Sequence, residues 1–325
     1  AFTQYAAQAI RAAEAGRDVM TWASREPPGL AEAALRGGGS FIRVEDGFLR
    51  SPGLGAHFSP AYSLIFDSVG VYYDATRSSG LERLLAERDF DAALLARAEA
   101  LCERLTRGAV SKYAVGRGRP PTSPRGRDRV LVIGQVEDDA SIRLGGADVR
   151  TNLALLERAR AAHPGAWVAY KPHPDVLRAG RPGRVAVPDA LRHADAIWPD
   201  VTIAAALEWA EAVHTISSLA GFEALQRGRD VHVHGRPFYA GWGLTLDHAP
   251  QPERRGRALA LESLIAATLI LYPRYLDPFT SKRIEVEALL AHLEGGWRDP
   301  LVGRPLWHRA AATAKRWLGP LRGRL

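Results

Sequence analysis

The sequence predicts an α/β protein, and three observations carry that reading. From Val130 onward short apolar runs alternate with helical patterns, as in a parallel sheet with helices on both faces. The chain has 325 residues, 46% of them hydrophobic, enough for two domains of roughly 100–200 residues each. Between the halves, Gly116–Asp128 combines Gly, Pro, Arg and Ser with little apolar periodicity and reads as a linker. Domains over 1–115 and 129–278 follow.

In chain order, Phe2–Glu14 has the pattern of an amphipathic helix, and Val19–Trp22 and Phe41–Val44 those of short buried strands. Ser63–Asp67 and Val71–Tyr73 are β-rich runs separated by Ser68-Val69-Gly70, which predicts a hairpin. Asp91–Thr106 reads as a helix. After the linker come strands at Val130–Ile133, Ala166–Tyr170, Ala196–Trp198, Ala212–His214 and Val231–Val233. Helices are expected at Thr151–Ala162, Ile203–Trp209 and Leu219–Arg227. The chain opens directly on a helix with no preceding strand, the pattern expected of a fragment that starts inside a domain.

Composition narrows the class. Gly and Pro are frequent but not periodic, against collagen-like or low-complexity readings. No apolar run approaches the roughly 20 residues that cross a bilayer; Leu259–Leu271 is broken by Glu262 and Ser263. The start lacks a signal-peptide pattern, and the single cysteine, Cys102, argues against a disulfide framework and for a reducing cytoplasm. The formal net charge is +7. From Gly295 onward seven basic residues face one acid, a net +6, so the preceding residues carry only about +1. A nearly neutral body disfavours nucleic acid as a partner. The basic tail 295–325, with Trp297, Trp307 and Trp317, suits an anionic membrane surface.

Five stretches carry candidate chemistry. Tyr170-Lys171-Pro172-His173-Pro174 follows an apolar strand, and its prolines end the strand and stiffen the turn. Lys171 and His173 then stand at a strand's carboxyl end, where ligands of parallel sheets bind; they suit a phosphate, or form an ordinary turn with a solvated lysine. In His214-Thr215-Ile216-Ser217-Ser218-Leu219-Ala220-Gly221-Phe222-Glu223 a strand meets a helix start, so Ser217 and Ser218 are either an anion site or a plain cap. Gly134-Gln135-Val136-Glu137-Asp138-Asp139-Ala140-Ser141 places three acids at a strand end, where one carboxylate can act as a nucleophile or all three form a solvated acidic turn. No second Asp/His cluster supports a metal there. Glu45–Gly55 reads as a polar loop in which Arg50 can grip a carboxylate, or as a capped turn with an internal ion pair. In Arg236–Thr245, Phe238, Tyr239 and Trp242 stand among glycines and alanine, as a stacking surface or as a core plug.

VEDGFLRSPGLG, VYYDATR, GQVEDDASI, YKPHPDV, HTISSLAGFEAL, RPFYAGWGLT and LYPRY occur in that order. Together they resemble the KpsC/LipA-type capsule polysaccharide biosynthesis family, the bacterial retaining β-Kdo glycosyltransferases (Kdo is 3-deoxy-D-manno-octulosonate). The resemblance runs from about Phe41 to Arg283, and GQVEDDASIR followed by YKPHPDV is closer to the module that builds β-(2→7) linkages than to the β-(2→4) module. It implies a GT-B fold: two Rossmann-like domains facing a cleft, with a crossing helix over 279–294. It implies CMP-Kdo as donor, a Kdo-bearing phosphatidylglycerol lipid as acceptor, peripheral inner-membrane location, no metal or separate cofactor, and often a tandem second module. By the same resemblance His173 and Pro174, with Lys171, Ser217 and Ser218, hold the CMP phosphate. Asp139 is the first candidate nucleophile and Asp138 the second, with Glu45 the candidate base. Gln135, Ser141, Arg50, Glu223, Tyr239 and Trp242 complete the expected substrate contacts. A non-catalytic glycan- or lipid-binding subunit, or a transferase for another nucleotide sugar, are the alternatives.

Overall fold

The computed structural model describes residues 5–49, 62–107, 118, 120, 126–280 and 282–295. Arg50, most of the expected linker and almost all of the basic tail lie outside the described residues. The described chain is a mixed α/β fold built on two sheets.

The first half supplies α1 (Ala6–Glu14), β1 (Val19–Trp22), α2 (Leu30–Gly37), β2 (Phe41–Asp46), β3 (Ser63–Asp67), α3 (Gly80–Glu87) and α4 (Ala92–Arg107). The second half continues with β4 (Arg129–Ile133), α5 (Ala140–Gly145), α6 (Asn152–Ala162), β5 (Trp167–Lys171), α7 (Pro174–Arg178), α8 (Val187–Leu191), β6 (Ala196–Ile197) and α9 (Ile203–Trp209). Then come β7 (Ala212–Thr215), α10 (Leu219–Leu225), β8 (Asp230–Val233), β9 (Leu246–Asp247) and α11 (Leu261–Ile265), the last prolonged by a π-helical stretch, Ala266–Leu271. The chain ends with β10 (Pro273–Leu276), β11 (Arg283–Ile284) and α12 (Val286–Glu294). Among the described residues no helix is long and apolar enough to cross a membrane.

The second sheet has the order β6-β5-β4-β7-β8-β9 and every pairing in it is parallel. Its central strands are buried on both sides, which is why they read as unbroken apolar runs. The first sheet, β1-β2-β3-β10-β11, is mixed: β1 and β2 are parallel and the remaining pairs antiparallel.

Several sequence expectations change here. The hairpin does not form: β3 pairs with β2 and β10, and Val71–Tyr73 turns instead. Asp67 is the reason. Its Oδ1 accepts from the Val69 and Gly70 amides at 2.7 and 3.0 Å, and its Oδ2 from the Gly80 amide at 2.7 Å and the Tyr272 hydroxyl at 2.6 Å. β1 is an edge strand rather than a buried one, with Val19 and Thr21 half-buried and Met20 and Trp22 exposed. β2 runs on through Glu45 and Asp46, so these acids end a strand rather than open a loop. Pro273–Leu276, inside the expected second domain, pairs with β3 in the first sheet. The expected 279–294 helix begins only at Val286, because Arg283–Ile284 first pairs with β10. Gly118 of the expected linker bridges to Val201.

A single apolar cluster joins the two sheets. It contains Ile65, Leu81 and Leu85 from the first half and Leu131, Val213, Phe222 and Val233 from the second. Each such fully buried side chain contributes about 1.5–3 kcal/mol. Phe48 and Tyr72 meet Phe238 at ring-centroid distances of 5.0 and 5.7 Å across the junction. Glu82 on α3 meets Arg254 and, at 2.7 Å, Arg255, whose side chain is 2% exposed. α12 is tied to α4 through Arg97 with Glu285 and Glu287, and Arg104 with Glu294.

Candidate active site

A cleft of about 420 Å³ opens between the two sheets, a size that suits a small-molecule ligand. From the first sheet it is lined by Glu45 and Asp46 at the end of β2 and by Tyr72 and Tyr73. From the second it is lined by the segments that follow β4, β5 and β7, at the carboxyl ends of three adjacent parallel strands.

Each segment leads within two to six residues into a short helix, and in each the helix's N-cap residue lines the cleft. After β4, Asp139 caps α5 by accepting from the Ser141 amide at 2.9 Å and the Ser141 hydroxyl at 2.7 Å, both on Oδ1. After β5, His173 caps α7 by accepting from the Asp175 amide through Nδ1 at 3.1 Å. Accepting at Nδ1 puts the neutral ring's proton on Nε2, the nitrogen left for a ligand. Burial lowers the His173 pKa against the opposing pull of Asp175 and Asp139, which favours that neutral form. After β7, Ser218 caps α10 by accepting from the Ala220 amide at 3.3 Å. Three helix starts turned to one cleft favour an anion.

Gln135 ties two of these turns together. Its side-chain oxygen accepts from the Ser217 amide at 2.8 Å and its amide nitrogen donates to Ser217 Oγ at 3.2 Å. Its backbone is clamped by Asn152, which accepts from the Gln135 amide and donates to its carbonyl, both at 2.8 Å. Glu45 Oε2 accepts from the Tyr73 hydroxyl at 3.2 Å. Burial, then Glu45, pushes the Tyr73 pKa up, so the phenol stays protonated as a donor.

Residues 17–114 and 90–275 match the family described as capsule polysaccharide biosynthesis protein. The chain belongs to that family. It is 45% identical over 246 residues to the capsule polysaccharide modification protein LipA of Neisseria meningitidis serogroup A. That match covers 76% of this chain and 35% of LipA, so the chain spans about a third of that relative's length. Among solved structures it resembles the Thermosulfurimonas dismutans KpsC β-Kdo 2,4 transferase with a TM-score of 0.77 and 37% identity, over 85% of this chain and 87% of that one. For the KpsC β-Kdo 2,7 transferase of the same organism the values are 0.71 and 36%, over 87% and 86%. Near-equal likeness to both places the fold and leaves linkage to local features.

Within this capsule-family fold most of the expected residues converge. Asp139, Ser141, Gln135, His173, Pro174, Ser217, Ser218, Glu223 and Glu45 all line the cleft. Lys171 also lines it, but its Nζ donates to the Val201 carbonyl at 2.5 Å and the residue is 5% exposed. Burial pulls its pKa down to about 8, against Asp200. Lys171 is thus neither the solvated lysine of the alternative reading nor a cation free to reach a phosphate: its ammonium is a strut between β5 and the segment after β6. Asp138 does not join the site: it is exposed and held by Arg181 at 2.6 Å, while Glu137 accepts from the Asn152 amide at 2.7 Å. The three successive acids thus have three different partners, and of their side chains only Asp139 lines the cleft.

Tyr239 and Trp242 are corrected. Both are fully buried and neither lines the cleft. Tyr239 donates to the Ser218 carbonyl at 2.5 Å and Trp242 to the Phe238 carbonyl at 2.8 Å. The aromatic loop is a core plug that supports Ser218 from behind, and only Pro237 and Phe238 of it reach the cleft. Sequence reasoning missed Tyr73 and Asn152 as individual residues. Tyr73 lies in the VYYDATR stretch, a signal that was present; Asn152 follows a helix cap and carried none.

Proposed function

We propose that this chain is a retaining glycosyltransferase that moves Kdo from CMP-β-Kdo to a Kdo-bearing phosphatidylglycerol acceptor, forming a β-(2→7) linkage in capsule linker synthesis. The observation that carries the reading is the convergence of the Asp139, His173 and Ser218 caps on one cleft, opposite Glu45. The solved relatives described as KpsC β-Kdo transferases supply the sugar class. The two sheets and the return of α12 to α4 are read as the GT-B arrangement with its crossing helix.

In this reading the cytidine phosphate sits at the His173 and Ser217–Ser218 turns, with His173 Nε2–H as a donor. Asp139 Oδ2 attacks the anomeric carbon, the bond to the phosphate oxygen breaks, and CMP leaves with the electron pair. The acceptor hydroxyl, losing its proton to Glu45, then attacks the same carbon and displaces Asp139. Two inversions give net retention. Lys171 adds positive field from behind the turn. Arg50 pairs with the Kdo carboxylate, a role outside the described residues. The 2→7 assignment rests on the order GQVEDDASIR then YKPHPDV.

Incubation of the chain with CMP-Kdo and a synthetic Kdo-lipid, followed by NMR of the product, tests the reading. A β-(2→7)-linked Kdo supports it. Unconsumed CMP-Kdo sinks the transferase, an α-linkage sinks retention, and a β-(2→4) product reassigns the linkage. The proposed membrane contact of residues after Gly295 is checked by co-sedimentation with anionic liposomes; equal binding without them dismisses it.

A further inference from the structure

Five histidines from four segments gather on the α6 side of the second sheet, and none of them lines the cleft. In β7, Ala212 packs with Leu155, Leu156 and Ala159 of α6, while Val213 joins the opposite core. His214 therefore faces α6, where Nε2 of His163 stands 3.1 Å from its own Nε2. His232 is its register partner on β8, stacked at 4.2 Å. The outer ring nitrogens are also engaged: His214 Nδ1 lies 3.1 Å from His234 Nε2, and His232 Nδ1 lies 2.9 Å from His248 Nε2.

This arrangement has the parts of a metal site. One ring nitrogen from each of His163, His214 and His232 lies within 4.8 Å of the others. Nitrogen ligands of a tetrahedral zinc, at about 2.0–2.1 Å from the ion, stand about 3.3 Å apart, close to the 3.1 Å found between His163 and His214. His234 and His248 supply the second set of hydrogen bonds that orients ligating imidazoles. An all-imidazole donor set suits zinc and its transition-metal neighbours and does not suit magnesium or calcium, which take oxygen. His214 is fully buried, but His163 and His232 are partly exposed, which gives the ion an entry path.

We propose that His163, His214 and His232 form a zinc site with three protein ligands and the fourth position open to water, which ties the end of α6 to β7 and β8. The site is independent of the transfer chemistry. It departs from the sequence expectation of no metal, because 163, 214 and 232 become neighbours only through the parallel register of β7 and β8 and the return of α6.

The test uses the tag-free chain, stripped with chelator and titrated with Zn²⁺ by calorimetry and with Co²⁺ by visible absorption. One equivalent of Zn²⁺ should bind, raise the melting temperature, and displace Co²⁺ from a site with a tetrahedral absorption band. His163→Gln and His232→Gln should each weaken binding by at least about tenfold, while His292→Gln, remote from the cluster, should not. Absence of saturable binding, or binding untouched by His163→Gln, overturns the proposal. Should His232→Gln fail to fold, the partly exposed His163→Gln decides alone.

Discussion

Asp139, His173 and Ser218 each hold a helix start while facing the cleft, so a substitution at any of them changes both stability and binding. The choice of replacement separates the two. Asparagine caps helices as well as aspartate does, so Asp139→Asn should keep the melting temperature within a degree or two and lower transfer from CMP-Kdo by about 10⁴-fold or more. Near-wild-type turnover by this variant removes Asp139 as nucleophile. Lys171 gives a prediction in pH. Its pKa is depressed from 10.5 to about 8, so between those values the unfolded chain binds the additional proton and stability rises with pH. Below about 8 the burial penalty is fully present. Denaturant melts of the wild type and of Lys171→Met should show the wild type gaining relative to the variant from pH 8 to 10.5. A constant difference across that window contradicts the assignment.

At the scale of elements, the turn from β7 into α10 depends on close packing. A Cβ on Gly221 would lie 2.3 Å from the Tyr239 hydroxyl and 3.0 Å from Thr215 Cγ2. That hydroxyl donates to the Ser218 carbonyl, so Gly221→Ala displaces the group that supports the cap. We expect a loss of about 1–3 kcal/mol in urea unfolding, and a weaker affinity for CMP by calorimetry. The second sheet was legible in the sequence because buried parallel strands are apolar throughout and alternate with helices. The hairpin at 63–73 was misread because strand propensity does not register what one carboxylate does: Asp67 gathers three backbone amides and bends the chain. In the site, motif spacing found the strand-end residues. It could not tell that Lys171 is spent on Val201, that Asp138 turns to Arg181, or that Tyr239 and Trp242 face inward. Side-chain direction at these positions is set by neighbours far away in sequence.

Across the whole molecule, the two halves are joined by an ion cluster as well as by apolar packing. Glu82 on α3 faces Arg254 and Arg255 from the segment after the second sheet, and both Glu82 and Arg255 are buried. Removing one partner strands a buried charge, so Glu82→Gln should cost about 3–5 kcal/mol. Equilibrium denaturation measures this; a change below about 1 kcal/mol would mean that water reaches Arg255.

The return of the chain to its first sheet bears on how the protein is made. β3 pairs on one side with β10, a partner some 200 residues later. A ribosome therefore releases β1, β2 and β3 long before the strand that completes their sheet exists. Until then β3 offers an open edge to other nascent chains, and such long-range pairing is slow to form. The order of synthesis thus makes the last third of the chain the step that commits the first third to its fold. Fragments that stop short of Leu276 inherit the open edge permanently, which sets where this protein can be cut for expression and where it cannot.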